Sequence, residues 1–463
     1  MKILDVHSPY DNKKITSVKL ATQNEVEEAI DLAYDYFNSY DTWLKKYEIV
    51  AIFEKAIKLM NEQIEELTLI AVKEGGKPYM DSKVEVYRAI DGLKVAIEQL
   101  STMAGKEIPM GHTQSSVNRT ASTFFEPRGV VVAVSAFNHP LNLAVHQIIP
   151  AIAVGAPVIM KPASATPMSA LNFVDILYQA GLPKALCQVV VCDKEVAETL
   201  VKSSKIAFLT FIGSASVGWH LNKSVANGTR VALEHGGVAP VIVEKSASLE
   251  TVIPALVKGG FYHAGQVCVS VQKVFIDNAI IKEVTQALKN SVKELKVGNP
   301  LNPETEVGPL ISAKELQRVD KWVQEALNDG ATLVCGGKAL SSSLYEPTIL
   351  LNPPQSSTIS QKEIFGPVIS LYGYDDIEKA YDEANALEVA FQSAIFTNDI
   401  NTTLRATRRL KATTVMVNDH TAFRVDWMPF SGAKTSGLGI GGIPSAMHEM
   451  SLEKLVVTKS SVL

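Results

Sequence analysis

An uninterrupted apolar run, Val130-Val131-Val132-Ala133-Val134, follows the turn signal Pro127-Arg128-Gly129. A strand that is apolar at every position is typical of a parallel sheet whose two faces are both covered, because no position then meets water. A helical pattern over residues 143–154 and the strand Pro157-Val158-Ile159-Met160 come next. This order of strand, helix and strand indicates a βαβ unit.

The alternation of strands and helices continues along most of the chain. The next predicted elements are helices over residues 168–180 and 195–202 and strands over residues 189–191 and 206–211. A second α/β block is predicted over residues 240–418. We therefore expect doubly wound sheets, which bind ligands at the carboxyl ends of their strands. The first hundred residues are predicted to be mainly helical, and Asn24, with Glu27 three residues on, is predicted to cap the first helix.

Composition excludes several classes of protein. The 463 residues include 44 Lys and Arg against 49 Asp and Glu, so the chain lacks the basic excess of a nucleic-acid binder. It has no apolar run of membrane-spanning length and no signal-peptide pattern at its start, and we expect a soluble, cytoplasmic protein. Four scattered cysteines and nine histidines without an HExxH pattern predict neither a disulfide framework nor a metal site.

One cysteine lies at the end of a Gly-rich stretch, Gly259-Gly260-Phe261-Tyr262-His263-Ala264-Gly265-Gln266-Val267-Cys268. A lone cysteine is often a quiet core residue. A glycine turn after a helix, however, indicates a side chain that is presented to a cavity, and a thiol presented in this way is a candidate nucleophile. Cys187, Cys192 and Cys335 have no such setting and are predicted to be structural.

A carboxylate, Glu234, follows the strand Arg230-Val231-Ala232-Leu233 and is followed by His235-Gly236-Gly237. It is a candidate general base for activating water near the thiol, and the alternative is a solvated carboxylate at a strand end. Beside a thiolate, such a base needs a raised pKa or a movable side chain, because two negative charges repel each other.

An amide, Asn138, lies directly after the first apolar strand, in Ser135-Ala136-Phe137-Asn138-His139-Pro140. Its side chain can donate a hydrogen bond to a developing oxyanion, or it can form an Asx turn that leads into the helix. The neighbouring His139 is a candidate general base, and next to Pro140 it can equally shape the pocket.

Two strand ends are candidate nucleotide-binding segments. Lys161 suits a ribose hydroxyl or a phosphate, and Gly213-Ser214-Ala215-Ser216-Val217-Gly218 joins a strand to a helix whose N-terminus can hold a pyrophosphate. A third stretch, Gly437-Leu438-Gly439-Ile440-Gly441-Gly442, matches the GxGxxG pattern, but no buried strand leads straight into it. We interpret this third stretch as a flexible loop before the last helix.

Taken together, these segments resemble the aldehyde dehydrogenase superfamily over almost the whole chain. The motifs that carry the resemblance are Phe137-Asn138-His139-Pro140, Lys161-Pro162-Ala163, Gly213-Ser214 with Gly218, Glu234-His235-Gly236-Gly237, Gly265-Gln266-Val267-Cys268 and Glu363-Ile364-Phe365-Gly366-Pro367. The resemblance implies an α/β protein with a Rossmann-type cofactor domain (residues 1–112 and 131–235), an α/β catalytic domain (236–443) and a small β oligomerisation arm (113–130 and 444–463).

The resemblance also implies a mechanism. Cys268 would attack the aldehyde, Asn138 and the backbone N–H of Cys268 would stabilise the oxyanion, and Glu234 would activate the water that releases the carboxylic acid. The presence of this glutamate favours hydrolysis over transfer to coenzyme A. The residues expected to bind the cofactor are Lys161, Ser164, Gly213, Ser214, Gly218, Glu363 and Phe365.

Three positions depart from the family pattern. Ser164 stands where strictly NAD-preferring members often have a glutamate, and a hydroxyl there leaves room for a 2′-phosphate. We therefore expect NADP as the preferred cofactor, with NAD as the other possibility. His235 replaces the usual leucine and Ser431 the usual glycine, and the sequence explains neither change.

Within the family, Ser393-Ala394-Ile395-Phe396-Thr397-Asn398-Asp399 and the motifs above look most like lactaldehyde, sulfolactaldehyde and phosphonoacetaldehyde dehydrogenases. These enzymes act on small polar or anionic aldehydes. Arg88 and His139 are expected to face the substrate, although a helical arginine can also be simply exposed. Val267 stands where phosphonoacetaldehyde enzymes have an arginine, which disfavours that substrate. A semialdehyde is the remaining alternative.

The resemblance further implies a homodimer or homotetramer, with no nucleic-acid or membrane partner. The terminal strand 452–458 has no later segment to cover its edge, so we expect it to pair with another subunit's sheet. Two other classes of function fit these residues less well. A cysteine esterase without redox chemistry leaves Lys161 and Glu363 unexplained, and a non-catalytic member would be expected to have lost Cys268 or Glu234.

Overall fold

Two large, mainly parallel sheets form the centre of the computed structural model, which describes residues 2–462. The strands of the N-terminal sheet are, in spatial order, Gly437–Leu438, Arg230–Glu234, Ile206–Ile212, Val130–Val134, Val158–Lys161 and Cys187–Val189. Only the short first strand is antiparallel to its neighbour. The first of these strands in the sequence, Val130–Val134, lies in the middle of the sheet. The next two strands are added on one side of it, and Ile206–Ile212 is added on the other side, which confirms the predicted doubly wound fold.

The C-terminal sheet has the same character. Its strands are, in spatial order, Thr332–Cys335, Thr348–Leu351, Val368–Tyr374, Lys273–Asp277, Val241–Val243, Gln392–Phe396 and Thr414–Val417. All neighbouring pairs are parallel except the first. The central strands are buried on both faces, as their continuous apolar sequences predict.

Helices cover both sheets. Those of the first half are Gln23–Asn38, Lys46–Glu62, Ile64–Gly75, Tyr79–Thr102, Pro140–Ala153, Met168–Ala180, Lys194–Lys202 and Ala215–Ser224. Those of the second half are Leu249–Phe261, Ile281–Glu294, Ala313–Asn328, Thr358–Gln361, Ile377–Ala384, Ile400–Arg409 and Ile443–Glu449. Within residues 2–462, no helix is long and apolar enough to cross a membrane.

The first helix begins two residues earlier than Asn24 would place it. Thr22 is the N-cap: its hydroxyl accepts from the Glu25 backbone N–H at 3.3 Å, and the Glu25 carboxylate accepts from the Thr22 N–H at 2.8 Å. This reciprocal pair satisfies two backbone donors that the helix leaves free, so the threonine is favoured over Asn24 as the cap.

Two buried glutamates bind the N-terminal turns of two helices, Pro140–Ala153 and Met168–Ala180. The Glu85 carboxylate accepts from the backbone N–H groups of Leu141 and Asn142 at 2.9 and 3.0 Å, and the buried Lys77 ammonium forms an ion pair with it. The Glu74 carboxylate accepts from the first N–H groups of helix Met168–Ala180. Burial raises the pKa of Glu74 to about 7, although these donors oppose the rise.

The Gly437–Gly442 stretch is only partly the loop that its sequence predicted: it leads without regular structure into helix Ile443–Glu449, but it begins with a strand. Gly437–Leu438 is a short strand that pairs with Leu233 and Glu234. A Cβ at Gly437 would lie 2.5 Å from the Leu233 carbonyl oxygen, so the glycine is what allows this close approach.

A third, antiparallel sheet contains the end of the chain. Ser451–Lys459 pairs along its whole length with Arg119–Pro127 of the same chain, and Glu107–Ile108 pairs with the other side of Arg119–Pro127. The terminal strand therefore has one paired edge and lies at the border of its sheet. Its pairing with a second subunit, and the three domain boundaries, stay predictions.

Candidate active site

A cavity of about 860 Å³ lies at the carboxyl ends of the strands of the N-terminal sheet and is lined by both halves of the chain. It brings together most of the side chains and backbone segments that the sequence singled out, namely Arg88, Asn138, His139, Gly213, Ser214, Glu234, Cys268, Glu363 and Phe365. The loops after Val130–Val134 and Ile206–Ile212 both reach it, because the order of the sheet reverses between these strands.

The turn before Cys268 has an unusual backbone. His263, Ala264 and Gly265 all have positive φ angles, of 49°, 54° and 68°. A Cβ at Gly265 would lie 2.1 Å from the Gly366 carbonyl oxygen, so only glycine fits there. Three successive left-handed residues are costly and persist only where their surroundings hold them.

The side chain of Gln266 holds this turn in place. Its Nε2 donates to the carbonyl of Pro309 at 3.2 Å, and its Oε1 accepts from the Ile311 N–H at 2.9 Å. Its own carbonyl accepts from Asn138 Nδ2 at 2.9 Å. The amide nitrogen of Asn138 carries two hydrogens and this bond uses one, which orients the buried side chain beside Cys268.

The thiol and the carboxylate meet across the cavity. Cys268 Sγ lies 3.9 Å from Glu234 Oε1 and donates to it. Burial raises the pKa of Glu234 to about 7, while the Arg424 guanidinium opposes the rise. Burial also raises the pKa of the Cys268 thiol, and the carboxyls of Glu234 and Glu363 add to the effect. A carboxyl with a pKa near neutrality can both accept and return a proton.

The Glu363 carboxylate lies directly against the backbone of Gly236, two residues after Glu234. A Cβ at Gly236 would lie 1.8 Å from Glu363 Oε1, and within residues 2–462 this oxygen is buried without a hydrogen-bond partner. Burial raises the pKa of Glu363 to about 8, against the influence of Arg318 and of the Gly237 N–H. A buried oxygen without a partner is an acceptor available to a ligand.

The remaining candidate cofactor residues are Lys161, Ser164, Gly218 and Phe365. Lys161 is half-buried, its Nζ donates to the Pro162 carbonyl at 3.2 Å, and burial lowers its pKa. Ser164 is exposed three residues further on. Gly218 is the fourth residue of helix Ala215–Ser224, and Phe365 packs edge-on against Phe137 at a ring distance of 5.9 Å. Lys161, Ser164 and Gly218 do not line the cavity itself.

Arg88 is not an exposed helical arginine. Its Nε and Nη2 donate to the buried Asp426 carboxylate at 3.2 and 2.8 Å. Asp426 also accepts from Asn142 Nδ2 at 3.1 Å and bonds His146 Nε2 at 2.7 Å. Burial acts to raise the pKa of Asp426, but His146 and Arg88 outweigh it and hold that pKa well below its usual range.

Another arginine that lines the cavity, Arg424, was not identified from the sequence. Its guanidinium lies 3.7 Å from the centre of the Phe430 ring, and within the described residues its Nη1 is buried without a hydrogen-bond partner. Burial lowers its pKa to about 10, so it stays charged at neutral pH. It lies in a loop without periodicity, and the sequence holds no signal for its position.

His139 faces the cavity beside Tyr262, another residue that the sequence did not single out as a site residue. His139 Nε2 lies 3.1 Å from Tyr262 Oη. Burial and the nearby Lys77 ammonium hold the pKa of His139 well below its usual value, so the ring is neutral. The hydroxyl and the neutral ring together form a hydrogen-bonding pair on the cavity wall.

The family model named "Aldehyde dehydrogenase family" matches residues 1–456. The chain belongs to the aldehyde dehydrogenase family. This membership confirms the resemblance noted in the sequence. It makes the protein an oxidoreductase, and the family implies an aldehyde as its substrate.

Relatives of this aldehyde dehydrogenase cover almost its whole length. The 3-sulfolactaldehyde dehydrogenase of Priestia aryabhattai is 35% identical over 455 residues, which are 98% of this chain and 94% of that protein. The lactaldehyde dehydrogenase of Methanocaldococcus jannaschii is 37% identical over 461 residues, 98% of this chain and 97% of that protein. A solved structure, the glyceraldehyde-3-phosphate dehydrogenase from Methanocaldococcus jannaschii complexed with NADP, has a TM-score of 0.94 at 36% identity and covers 99% of both chains.

Two of the three departures from the family pattern, His235 and Ser431, differ in whether the structure explains them. The ring of His235 is buried against Gly218, and its Nδ1 donates to the Gly213 carbonyl at 2.8 Å. Ser431 contributes its backbone carbonyl to a hydrogen bond from Thr413, and nothing in the structure explains its side chain.

Proposed function

We propose that this protein oxidises a small polar or anionic aldehyde, of the lactaldehyde or sulfolactaldehyde type, to its carboxylic acid, with NADP or NAD as the oxidant. The observation that carries the proposal is the contact between Cys268 Sγ and Glu234 Oε1, at 3.9 Å, in a cavity that reaches both the Gly213 turn and a buried cation.

The first step of the proposed mechanism forms a bond between Cys268 Sγ and the aldehyde carbon. The thiol proton passes to Glu234, whose raised pKa lets it accept a proton near neutral pH. The carbonyl oxygen becomes an oxyanion and accepts hydrogen bonds from Asn138 Nδ2 and the Cys268 backbone N–H. A bound nicotinamide dinucleotide supplies the acceptor for the hydride that leaves the same carbon, and a thioester on Cys268 remains.

The second step hydrolyses this thioester. Glu234 first releases to solvent the proton that it took from the thiol, and its carboxylate then takes a proton from a water molecule, which attacks the thioester carbon. The bond between that carbon and Cys268 Sγ breaks, the carboxylic acid leaves, and the Cys268 thiolate takes a proton back from Glu234. A single carboxylate therefore acts in both steps, which explains why a pKa near 7 suits it.

The residues at the cofactor end fit a dinucleotide. Gly213 and Ser214 join a parallel strand to a helix N-terminus, the arrangement that binds pyrophosphate through backbone N–H groups. Glu363 offers an unpartnered oxygen for ribose hydroxyls. Ser164 is exposed and uncharged, so it does not repel an adenosine 2′-phosphate, and a relative at 36% identity is complexed with NADP. These observations support NADP as the preferred cofactor.

The arginines support an anionic substrate. Asp426 neutralises Arg88, whereas Arg424 has a buried N–H group without a partner. A buried cation of this kind favours an anion beside it, because the charge is poorly solvated. The names of two relatives, 3-sulfolactaldehyde dehydrogenase and glyceraldehyde-3-phosphate dehydrogenase, refer to aldehydes with an anionic group. Lactaldehyde, in the name of the third, is a neutral molecule of similar size.

The test is reduction of NADP and NAD across a panel of lactaldehyde, sulfolactaldehyde, glyceraldehyde 3-phosphate, succinic semialdehyde and phosphonoacetaldehyde. We expect turnover of at least one anionic aldehyde, and we expect Cys268→Ala to abolish it. Cys335→Ala is the matched control, because this half-buried thiol lies on an edge strand of the C-terminal sheet, outside the cavity. Ester hydrolysis without oxidation of any aldehyde would instead support a cysteine esterase.

A further inference from the structure

His235 occupies a position between the candidate base and the candidate pyrophosphate turn. It follows Glu234 directly at the end of strand Arg230–Glu234. Its backbone N–H donates at 2.9 Å to the carbonyl of Ser436, the residue before strand Gly437–Leu438, so a backbone bond anchors the residue independently of its side chain. The ring is buried beside the rings of Phe211 and Trp219, at 5.7 and 6.1 Å.

Two hydrogen bonds join this segment to the same glycine. The Gly213 N–H donates to the Glu234 carbonyl at 3.0 Å, and the Gly213 carbonyl accepts from His235 Nδ1 at 2.8 Å. A carbonyl can only accept, so Nδ1 carries the proton of the neutral ring. Gly213 is therefore held on both sides by consecutive residues, and with a leucine at position 235 only the bond to the Glu234 carbonyl would remain.

The other edge of the ring meets the helix that follows the turn. A Cβ at Gly218 would lie 2.0 Å from His235 Cε1 and 2.6 Å from Nε2, so the ring fills the space that the glycine leaves. Nε2 is buried and has no hydrogen-bond partner among residues 2–462. The His235 side chain thus contacts both ends of the segment Gly213–Gly218. This segment begins at the loop after strand Ile206–Ile212 and ends within the first turn of helix Ala215–Ser224.

We infer that His235 is a positioning residue for the dinucleotide: it fixes the Gly213 carbonyl and the first turn of helix Ala215–Ser224, so that the backbone N–H groups of the turn point at the pyrophosphate. The inference depends on the proposed function, because it assumes that the dinucleotide binds at this turn. His235 needs no contact with the reacting atoms, and its effect is on the affinity for the cofactor.

The test is isothermal titration calorimetry of NADP and NAD with the full chain and without aldehyde. His235→Leu keeps an apolar side chain against Gly218 and loses the bond to Gly213. We expect its Kd to rise about fivefold for both dinucleotides, the equivalent of about 1 kcal/mol for one hydrogen bond. His235→Asn places an amide N–H where Nδ1 lies and is expected to recover most of the affinity, although it fills less space.

Three outcomes would overturn the inference. These are unchanged affinity in His235→Leu, a loss confined to NADP, and an equal loss in both variants with lowered thermal unfolding temperatures, which would indicate packing alone. At saturating cofactor, the KM for the aldehyde is expected to stay at the wild-type value. If the wild-type chain binds neither dinucleotide, the proposed function fails, and this result is distinct from a His235 variant that binds like the wild type.

Discussion

Glu234 is proposed to act twice, and its replacement by glutamine should slow both steps. Glutamine has nearly the same shape but can take a proton neither from the Cys268 thiol nor from water. We expect Glu234→Gln to lack a fast burst of reduced cofactor, because the thiol loses the base that the first step uses. Steady turnover should be slower by about a hundredfold or more, as for the loss of a general base. Rapid-mixing absorbance of the reduced cofactor measures the burst and the steady rate. Sustained turnover at the wild-type rate would contradict the proposed role.

Arg424 is predicted to set the preference for charged substrates. Its free N–H group is buried, and an anionic group bonded to it would gain a charge-assisted hydrogen bond. Arg424→Met should raise the KM for an anionic aldehyde about tenfold or more, which corresponds to about 1.5–3 kcal/mol. Propanal, which lacks the charge, should keep its KM. Steady-state kinetics with both aldehydes provides the measurement, and Arg424→Lys is the control that retains a cation. An equal rise for both aldehydes would mean that Arg424 acts on the thiol instead.

At the scale of the secondary-structure elements, local patterns were sufficient for part of the fold. The apolar run Val130–Val134 predicted a buried parallel strand because its sequence alone excludes a solvated face. Glu234 and Cys268 were identifiable because glycines flank them. The pairing of Gly437–Leu438 with the Glu234 strand was not, because it joins segments about two hundred residues apart and depends on one missing Cβ. Arg424 was missed for a related reason: only tertiary packing brings its irregular loop to the cavity.

The buried pair of Lys77 and Glu85 is predicted to be essential for the helix that follows Asn138. Glu85 satisfies two backbone N–H groups at the start of helix Pro140–Ala153, and the Lys77 ammonium compensates its charge in a site without solvent. Glu85→Gln leaves a buried ammonium unpaired, which should lower the free energy of unfolding by about 3–5 kcal/mol. The double variant Lys77→Met with Glu85→Gln should be the more stable of the two, because no charge remains. Urea unfolding measures the free energy of unfolding of both variants. A double variant that is less stable than Glu85→Gln would show that the unpaired Lys77 ammonium is not the cause of the loss.

Across the whole molecule, burial of carboxyl groups predicts how stability depends on pH. The pKa of Glu74 is raised to about 7 by burial, whereas an unfolded chain would release this proton near its ordinary value of 4.5. The group's contribution to stability is therefore fully present below pH 4.5 and is lost as pH rises through 7. In Glu74→Gln, the free energy of unfolding should fall less between pH 5 and pH 8 than in the wild type. The difference should be at most roughly 3 kcal/mol. Parallel profiles from urea unfolding at each pH would show that Glu74 is not protonated in the folded state.

The terminal strand raises the question of how the molecule assembles. Ser451–Lys459 satisfies one edge against Arg119–Pro127, yet Leu455 and Val457 remain 55% and 48% exposed on a strand at the border of its sheet. Exposed apolar side chains beside an open edge favour pairing with another chain. We therefore expect the wild type to be a dimer or tetramer. The double variant Leu455→Glu with Val457→Glu should have a smaller mass by light scattering, because an interface at this strand would have to bury two new charges per subunit. Val462→Glu is the matched control: this residue is also exposed but lies beyond the strand. An oligomer of unchanged mass in the double variant would show that subunits meet through another surface.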